Sequence, residues 1–237
     1  MRTLRIRSVR RPATARYDLP LGANQLRVSS CQFRNSTTPY SRNPKLETCI
    51  LDNYGKHSSE PVWHAPRRLR RSAVPAAIWP WLLDPSSLTR RLQQACGGGF
   101  GVQVVRQHWE LPLLSEARVL GIKAGRHVLV REVRLMCGTQ PWVFARTVIP
   151  ATTLTGPQRR LGHLGERPLG GLLFSDPSMR RGELEVARIV RGQPLFTLAT
   201  AAQPLADHAI WGRRSLFYLR DKPLLVCEMF LPGVTAP

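Results

Sequence analysis

The hydrophobic and polar positions of this chain fall into two textures that meet near Ile78. Up to about residue 60, single apolar residues lie scattered among Arg, Ser, Asn, Thr and Pro with neither a helical nor an alternating period. Such a stretch has no face to bury, and disorder is expected there. From Ile78 onward periodic segments follow one another. Trp79, Pro80 and Trp81 lead through Leu82 and Leu83 to Asp84-Pro85-Ser86-Ser87, a helix-start cluster. The helix predicted from Ser87 to Ala95 aligns Leu88, Leu92 and Ala95, sets Arg90, Arg91, Gln93 and Gln94 on other faces, and stops at Gly97-Gly98-Gly99. Being amphipathic, it is suited to lie over a site.

Strand texture dominates the remainder. Phe100, Val102 and Val104 alternate, Pro112 interrupts, and Ser115-Glu116-Ala117 starts a short helix before Gly121. Residues 127–136 and 141–149 are rich in Val, Leu, Ile, Trp and Phe, and Cys137-Gly138-Thr139-Gln140 between them reads as a hairpin turn. Thr155-Gly156-Pro157 opens a short helix over Gln158 to Leu164, a helical turn covers Leu169 to Phe174, and Glu183 to Val190 returns to strand. Residues 191–208 read as a loop, after which Ala209 to Leu219 and Pro223 to Phe230 form a second hairpin around Arg220-Asp221-Lys222. This order predicts an α+β fold, an antiparallel sheet with short helices packed around it, rather than repeated βαβ units. The predicted domain spans residues 75–237, behind a basic extension over residues 1–74.

Charge sharpens that division. The chain carries a formal net charge of +20, and residues 1–72 hold 15 Lys and Arg against only Asp18, Glu47, Asp52 and Glu60. Arg67-Arg68-Leu69-Arg70-Arg71 suggests nucleic acid, but neither an aromatic-rich recognition motif nor a convincing pair of amphipathic helices accompanies it. No specific nucleic-acid partner is expected. A solvated linker, salt-sensitive adhesion and weak contact with anionic membrane lipid remain open for this segment. Met1 to Tyr17, with Pro12 and dispersed apolar residues, makes a poor amphipathic transit helix, and another reading puts the native start near Val62, before Trp63-His64-Ala65-Pro66. Five cysteines without a C-x-x-C pair do not suggest a disulfide framework, and point to a reducing cytoplasm. No stretch approaches the roughly 18 to 20 apolar residues of a membrane span, so a soluble protein, by default a monomer, is expected.

Much chemistry is argued against. Gly97-Gly98-Gly99-Phe100-Gly101 matches neither a P-loop nor a dinucleotide fingerprint, and it follows a helix rather than a strand. The six histidines are scattered, without H-E-x-x-H or zinc spacing, and no G-x-S-x-G elbow is present. Three charged residues within apolar strands remain: Arg131 in Val130-Arg131-Glu132-Val133, Arg146 in Ala145-Arg146-Thr147, and Glu228 in Val226-Cys227-Glu228-Met229. Taken singly, each reads as a water-facing residue at an alternating position, because an unpaired charge is costly in a core.

Read together, the segments say more. Val130-Arg131-Glu132-Val133, Pro141-Trp142 with Arg146-Thr147-Val148-Ile149-Pro150, Leu154-Thr155-Gly156-Pro157, Pro168-Leu169-Gly170, Trp211-Gly212-Arg213-Arg214-Ser215 and Lys222-Pro223-Leu224-Leu225 with Glu228-Met229-Phe230-Leu231-Pro232 follow one another in order. From about Trp79 to Pro232 the chain resembles the chorismate pyruvate-lyase family. The resemblance implies conversion of chorismate to 4-hydroxybenzoate and pyruvate, the entry step to the ubiquinone ring, without metal or organic cofactor. It implies an antiparallel sheet that encloses the aromatic product beneath helical flaps. It further implies that Arg131 binds the ligand carboxylate, that Leu169 gives a backbone and apolar contact, and that Glu228 meets the ring hydroxyl end. Leu88 takes the first-helix ligand position, where family sequences can have Met. Arg131 and Glu228 are thus the candidate catalytic residues, and Leu88, Arg131, Leu169 and Glu228 the candidate substrate and product contacts. If buried among apolar neighbours, Glu228 is expected to be neutral and able to donate a proton. The alternative is a non-catalytic carboxylate-sensing domain of the same fold, as found in some bacterial transcription regulators.

Overall fold

A computed structural model describes residues 59–203, 205 and 207–235. The disorder expected before residue 59, and the transit-peptide reading of Met1 to Tyr17, lie outside the described residues. Six strands form one antiparallel sheet: β1 (Phe100–Glu110), β2 (Val128–Cys137), β3 (Gln140–Pro150), β4 (Met179–Val190), β5 (Ala209–Leu219) and β6 (Lys222–Phe230), in the order β1-β2-β3-β6-β5-β4. Both predicted hairpins are present. The β5–β6 turn is tight because Arg220 and Asp221 adopt φ of 50° and 63°, a left-handed pair that matches the twist of the flanking strands.

Strand alternation sorts side chains onto two buried faces. One face carries Val133, Val143, Ala145, Val186 and Trp211 and is covered by α1 (Trp79–Leu83) and α2 (Leu88–Ala95), through Leu82, Leu88 and Leu92. Further along the same face, Leu129, Ile149, Phe217 and Val226 pack against α4 (Leu169–Ser175) and the 3-10 turn Gly156–His163. The other face carries Val128, Val130, Phe144, Val148, Cys227 and Met229, packed against α5 (Pro194–Thr200) and the apolar side of α3 (Leu114–Leu120).

Three expectations change. Residues 191–208 contain a helix: Pro194 occupies its first turn, where a missing N–H costs nothing, and Leu195, Phe196 and Ala199 bury one side. The expected boundary at residue 75 falls inside packed structure, since Val74 is buried, His64 bridges to Val186, and the Glu60 carboxylate accepts from the backbone N–H groups of Leu114 and Ser115 at the start of α3. The third concerns the cysteines. Cys96, which caps α2, and Cys137, at the end of β2, are joined by a disulfide across 5.5 Å between their Cα atoms. The fold brings together two residues 41 positions apart that spacing alone did not pair.

Candidate active site

A pocket opens between the α2/α4 side of the sheet and those two helices. Its floor is Arg131, Val133 and Leu135 on β2, Ala145 and Thr147 on β3, and Val226 and Glu228 on β6; Leu88, Thr89, Leu169, Gly170, Leu173 and Phe174 form the roof. Leu88, Arg131, Leu169 and Glu228, picked out in the sequence from four separate segments, all line this one pocket. The helices meet closely above it. Ser87 caps α2, its hydroxyl accepting from the Arg90 N–H. A Cβ on Gly170 would lie 2.6 Å from Thr89 Oγ1, so only glycine lets the start of α4 come this near to α2.

Arg131 is 2% exposed, contrary to the water-facing reading of an isolated strand charge. Its Nη2 donates to the carbonyls of Gly165 (2.8 Å) and Arg167 (3.1 Å) in the loop before α4, while its buried Nε has no hydrogen-bond partner. No carboxylate pairs with it among the described residues, and burial pushes its pKa down to about 10. A buried cation without a counterion is costly unless a ligand supplies one.

Arg146 on β3 is equally buried but faces the other side of the sheet. Glu116 accepts from its Nε and Nη2 at 2.8 and 3.1 Å, and Glu110 and Glu132 accept from its Nη1 at 2.8 and 2.6 Å. Burial alone would lower its pKa, but these carboxylates outweigh it and hold the group firmly protonated. Arg146 belongs to an internally satisfied network, not to the pocket.

Glu228 does not stand among apolar groups alone. Arg213, its cross-strand partner on β5 and 1% exposed, donates from Nε to Glu228 Oε2 at 2.6 Å, and from Nη1 to the carbonyls of Trp81 and Asp84. The wholly apolar surroundings supposed for Glu228 are therefore not what the fold provides, because it sets the Arg213 guanidinium against the side chain. Its Oε1 has no hydrogen-bond partner among the described residues. Arg213 stands within Trp211-Gly212-Arg213-Arg214-Ser215, and no local pattern ties it to Glu228; the β5–β6 register supplies that link. Among the described residues, no group of three or more His, Cys, Asp or Glu is placed to hold a metal ion. No helix among them is long and apolar enough to cross a membrane.

A family model described as chorismate lyase matches residues 58–236, three quarters of the chain. The chain belongs to the chorismate lyase family. Two relatives described as "probable chorismate pyruvate-lyase" illustrate the likeness within this family. That of Methylococcus capsulatus is 45% identical over 154 residues, covering 65% of this chain and 94% of that protein. That of an Azoarcus species is 43% identical over 180 residues, covering 74% and 90%. Among solved structures, the effector domain of PhnF from Mycobacterium smegmatis is 18% identical with a TM-score of 0.46, covering 64% of this chain and 91% of that one. In this chorismate lyase, then, the pocket has at one end a cation with no carboxylate partner among the described residues and at the other an ion-paired carboxylate, roofed by two short helices.

Proposed function

We propose that this protein converts chorismate to 4-hydroxybenzoate and pyruvate, with Arg131 holding the ring carboxylate and Glu228 the ring hydroxyl. The observation that carries the reading is the buried Arg131 guanidinium, which lines the pocket with its Nε unused. A carboxylate is the ligand group that satisfies both its charge and its fork of N–H donors.

Sheet register supports the orientation. Arg131 pairs with Thr147, Thr147 with Val226, and Glu228 lies two residues beyond Val226 on the same face. Arg131 and Glu228 thus stand two strand spacings apart across the sheet and two residues apart along it, about 12 Å between backbones. Between them β3 presents only Ala145 and Thr147, leaving room for a flat ring. A benzoate with its hydroxyl opposite the carboxyl bridges such a gap once the two side chains reach inward.

In the reaction the bond between ring C3 and the ether oxygen breaks, its electron pair leaving with enolpyruvate. The C4–H bond breaks as well, its pair completing the aromatic ring, and the proton ends on the methylene carbon of enolpyruvate to give pyruvate. Aromatisation supplies the driving force, so the residues chiefly position the substrate. Glu228 Oε1 accepts from the C4 hydroxyl and fixes C4, and Arg131 fixes the opposite end. Leu88 and Leu169 close over the ring and keep water out. We place this activity at the entry to the ubiquinone ring, in a cytoplasmic enzyme acting as a monomer without metal or organic cofactor.

The test is conversion of chorismate by purified protein without added metal, following both products, with Glu228→Gln as control. Equimolar 4-hydroxybenzoate and pyruvate, lost in the variant, support the reading. A folded protein that binds 4-hydroxybenzoate yet releases no products would leave a carboxylate-sensing domain instead.

A further inference from the structure

The Glu228 end of the pocket holds more positive charge than Glu228 balances. Arg213 is engaged with Glu228 and with backbone carbonyls. One strand further, on β4, Arg181 reaches over the same face: Nε donates to Ser215 Oγ at 3.1 Å and Nη1 to the Pro85 carbonyl at 2.9 Å. Its guanidinium lies 5.3 Å from the centre of the Phe217 ring, itself part of the pocket wall. No carboxylate forms an ion pair with it among the described residues, and its Nη2 makes no hydrogen bond there. Burial and the nearby Arg213 cation both press its pKa downward, against a smaller opposing pull from Glu228 and Asp84. Three guanidiniums on one face of the sheet, Arg131, Arg213 and Arg181, therefore stand against Glu228, which Arg213 already pairs, and Asp84, which Arg91 already pairs.

We propose that Arg181 is a specificity-determining residue that grips the second carboxylate of the substrate, the one on its enolpyruvyl arm. The inference rests on the chorismate reading. In chorismate the arm is attached to the carbon next to the one bearing the hydroxyl. With the hydroxyl on Glu228 of β6, the arm extends past that strand toward β5 and β4, where Arg213 and Arg181 stand. The substrate is a dianion and 4-hydroxybenzoate a monoanion without the arm. Arg131 meets a group common to both; Arg181 meets a group that only the substrate has.

That difference supplies a test. Kinetics with chorismate and calorimetric binding of 4-hydroxybenzoate are measured on wild type, Arg181→Gln, Arg181→Lys and Arg131→Ala, with thermal melts of each. Arg181→Gln is expected to raise KM for chorismate on the order of tenfold to a hundredfold, the range of a lost charged hydrogen bond. Its Kd for 4-hydroxybenzoate should stay within about twofold of wild type, and Arg181→Lys, which keeps the charge, should recover part of the KM. Arg131→Ala should weaken both ligands. Unchanged KM in Arg181→Gln overturns the proposal. So does a parallel loss of product affinity, because Arg181 would then act by shaping the pocket through Pro85 and Ser215. Wild type that forms no products fails the lyase reading itself, and this inference with it.

Discussion

Arg131 and Arg146 sit on paired strands one register step apart, Arg131 opposite Thr147 and Arg146 opposite Glu132, and that step sends their guanidiniums to opposite faces of the sheet. Both are 2% exposed. Arg146 is saturated by three glutamates, while among the described residues Arg131 donates to backbone carbonyls alone. One cation is neutralised inside the protein, and the other lines the pocket with no carboxylate partner among the described residues.

For Arg131→Ala, binding of 4-hydroxybenzoate should weaken by about 1.5 to 3 kcal/mol. Arg131→Met should melt no lower than wild type without ligand, because an uncompensated buried charge has gone, yet lose the upward Tm shift that ligand gives wild type. Calorimetry and melts with and without 4-hydroxybenzoate check both. A drop of several degrees in the unliganded variant would make Arg131 mainly structural.

Arg146→Met should have the reverse profile. Glu116 and Glu132, both buried, and Glu110 would lose their common counterion, a change that costs about 3 to 5 kcal/mol when one partner of a buried pair is removed. Urea unfolding measures the loss. The folded fraction should bind 4-hydroxybenzoate as wild type does, and weakened binding would show that the two faces are coupled.

Glu228→Gln keeps size but removes the charge that Arg213 faces. Folding should be near normal, with kcat for chorismate down on the order of a hundredfold from misplacement of the hydroxyl end. Steady-state kinetics decide, and full activity would reject any role for Glu228 in turnover.

Gly170→Ala puts a methyl 2.6 Å from Thr89 Oγ1 and 3.3 Å from its Cβ, so α4 and the Thr89 side chain must part. The variant should release 4-hydroxybenzoate faster by stopped-flow, at a stability cost of about 1 to 3 kcal/mol. Adding Thr89→Ala should restore slow release. Unaltered release in the single variant would mean that the helix contact does not hold the pocket shut.

Cys96→Ser removes the tie between the end of α2 and the end of β2. Under oxidising conditions the variant should be less stable than wild type by about 2 to 4 kcal/mol, and reductant should abolish the difference. Identical urea midpoints without reductant would show that the bond does not form in solution.

The sequence alone determined a great deal here. Alternation in β1, apolar-rich runs in the hairpin strands and turn residues between them located six strands and both hairpins, although β1 and β4 run further than the local pattern shows, because strand-forming side chains cluster locally and a tight turn needs particular backbone angles. The ordered motifs singled out Leu88, Arg131, Leu169 and Glu228, and the fold gathers these into one pocket. What periodicity could not give was the partner of each charge. Alternation states that Arg131, Arg146 and Glu228 have a side, but not whether that side is covered by α2 and α4 or by α3 and α5. Only tertiary packing assigns three glutamates to Arg146 and, among the described residues, none to Arg131, sets Arg213 against Glu228, and brings Cys96 to Cys137. Strand periodicity is a local property of a few consecutive residues, whereas these pairings join residues 14 to 41 positions apart, and they exist only once the sheet has fixed its register.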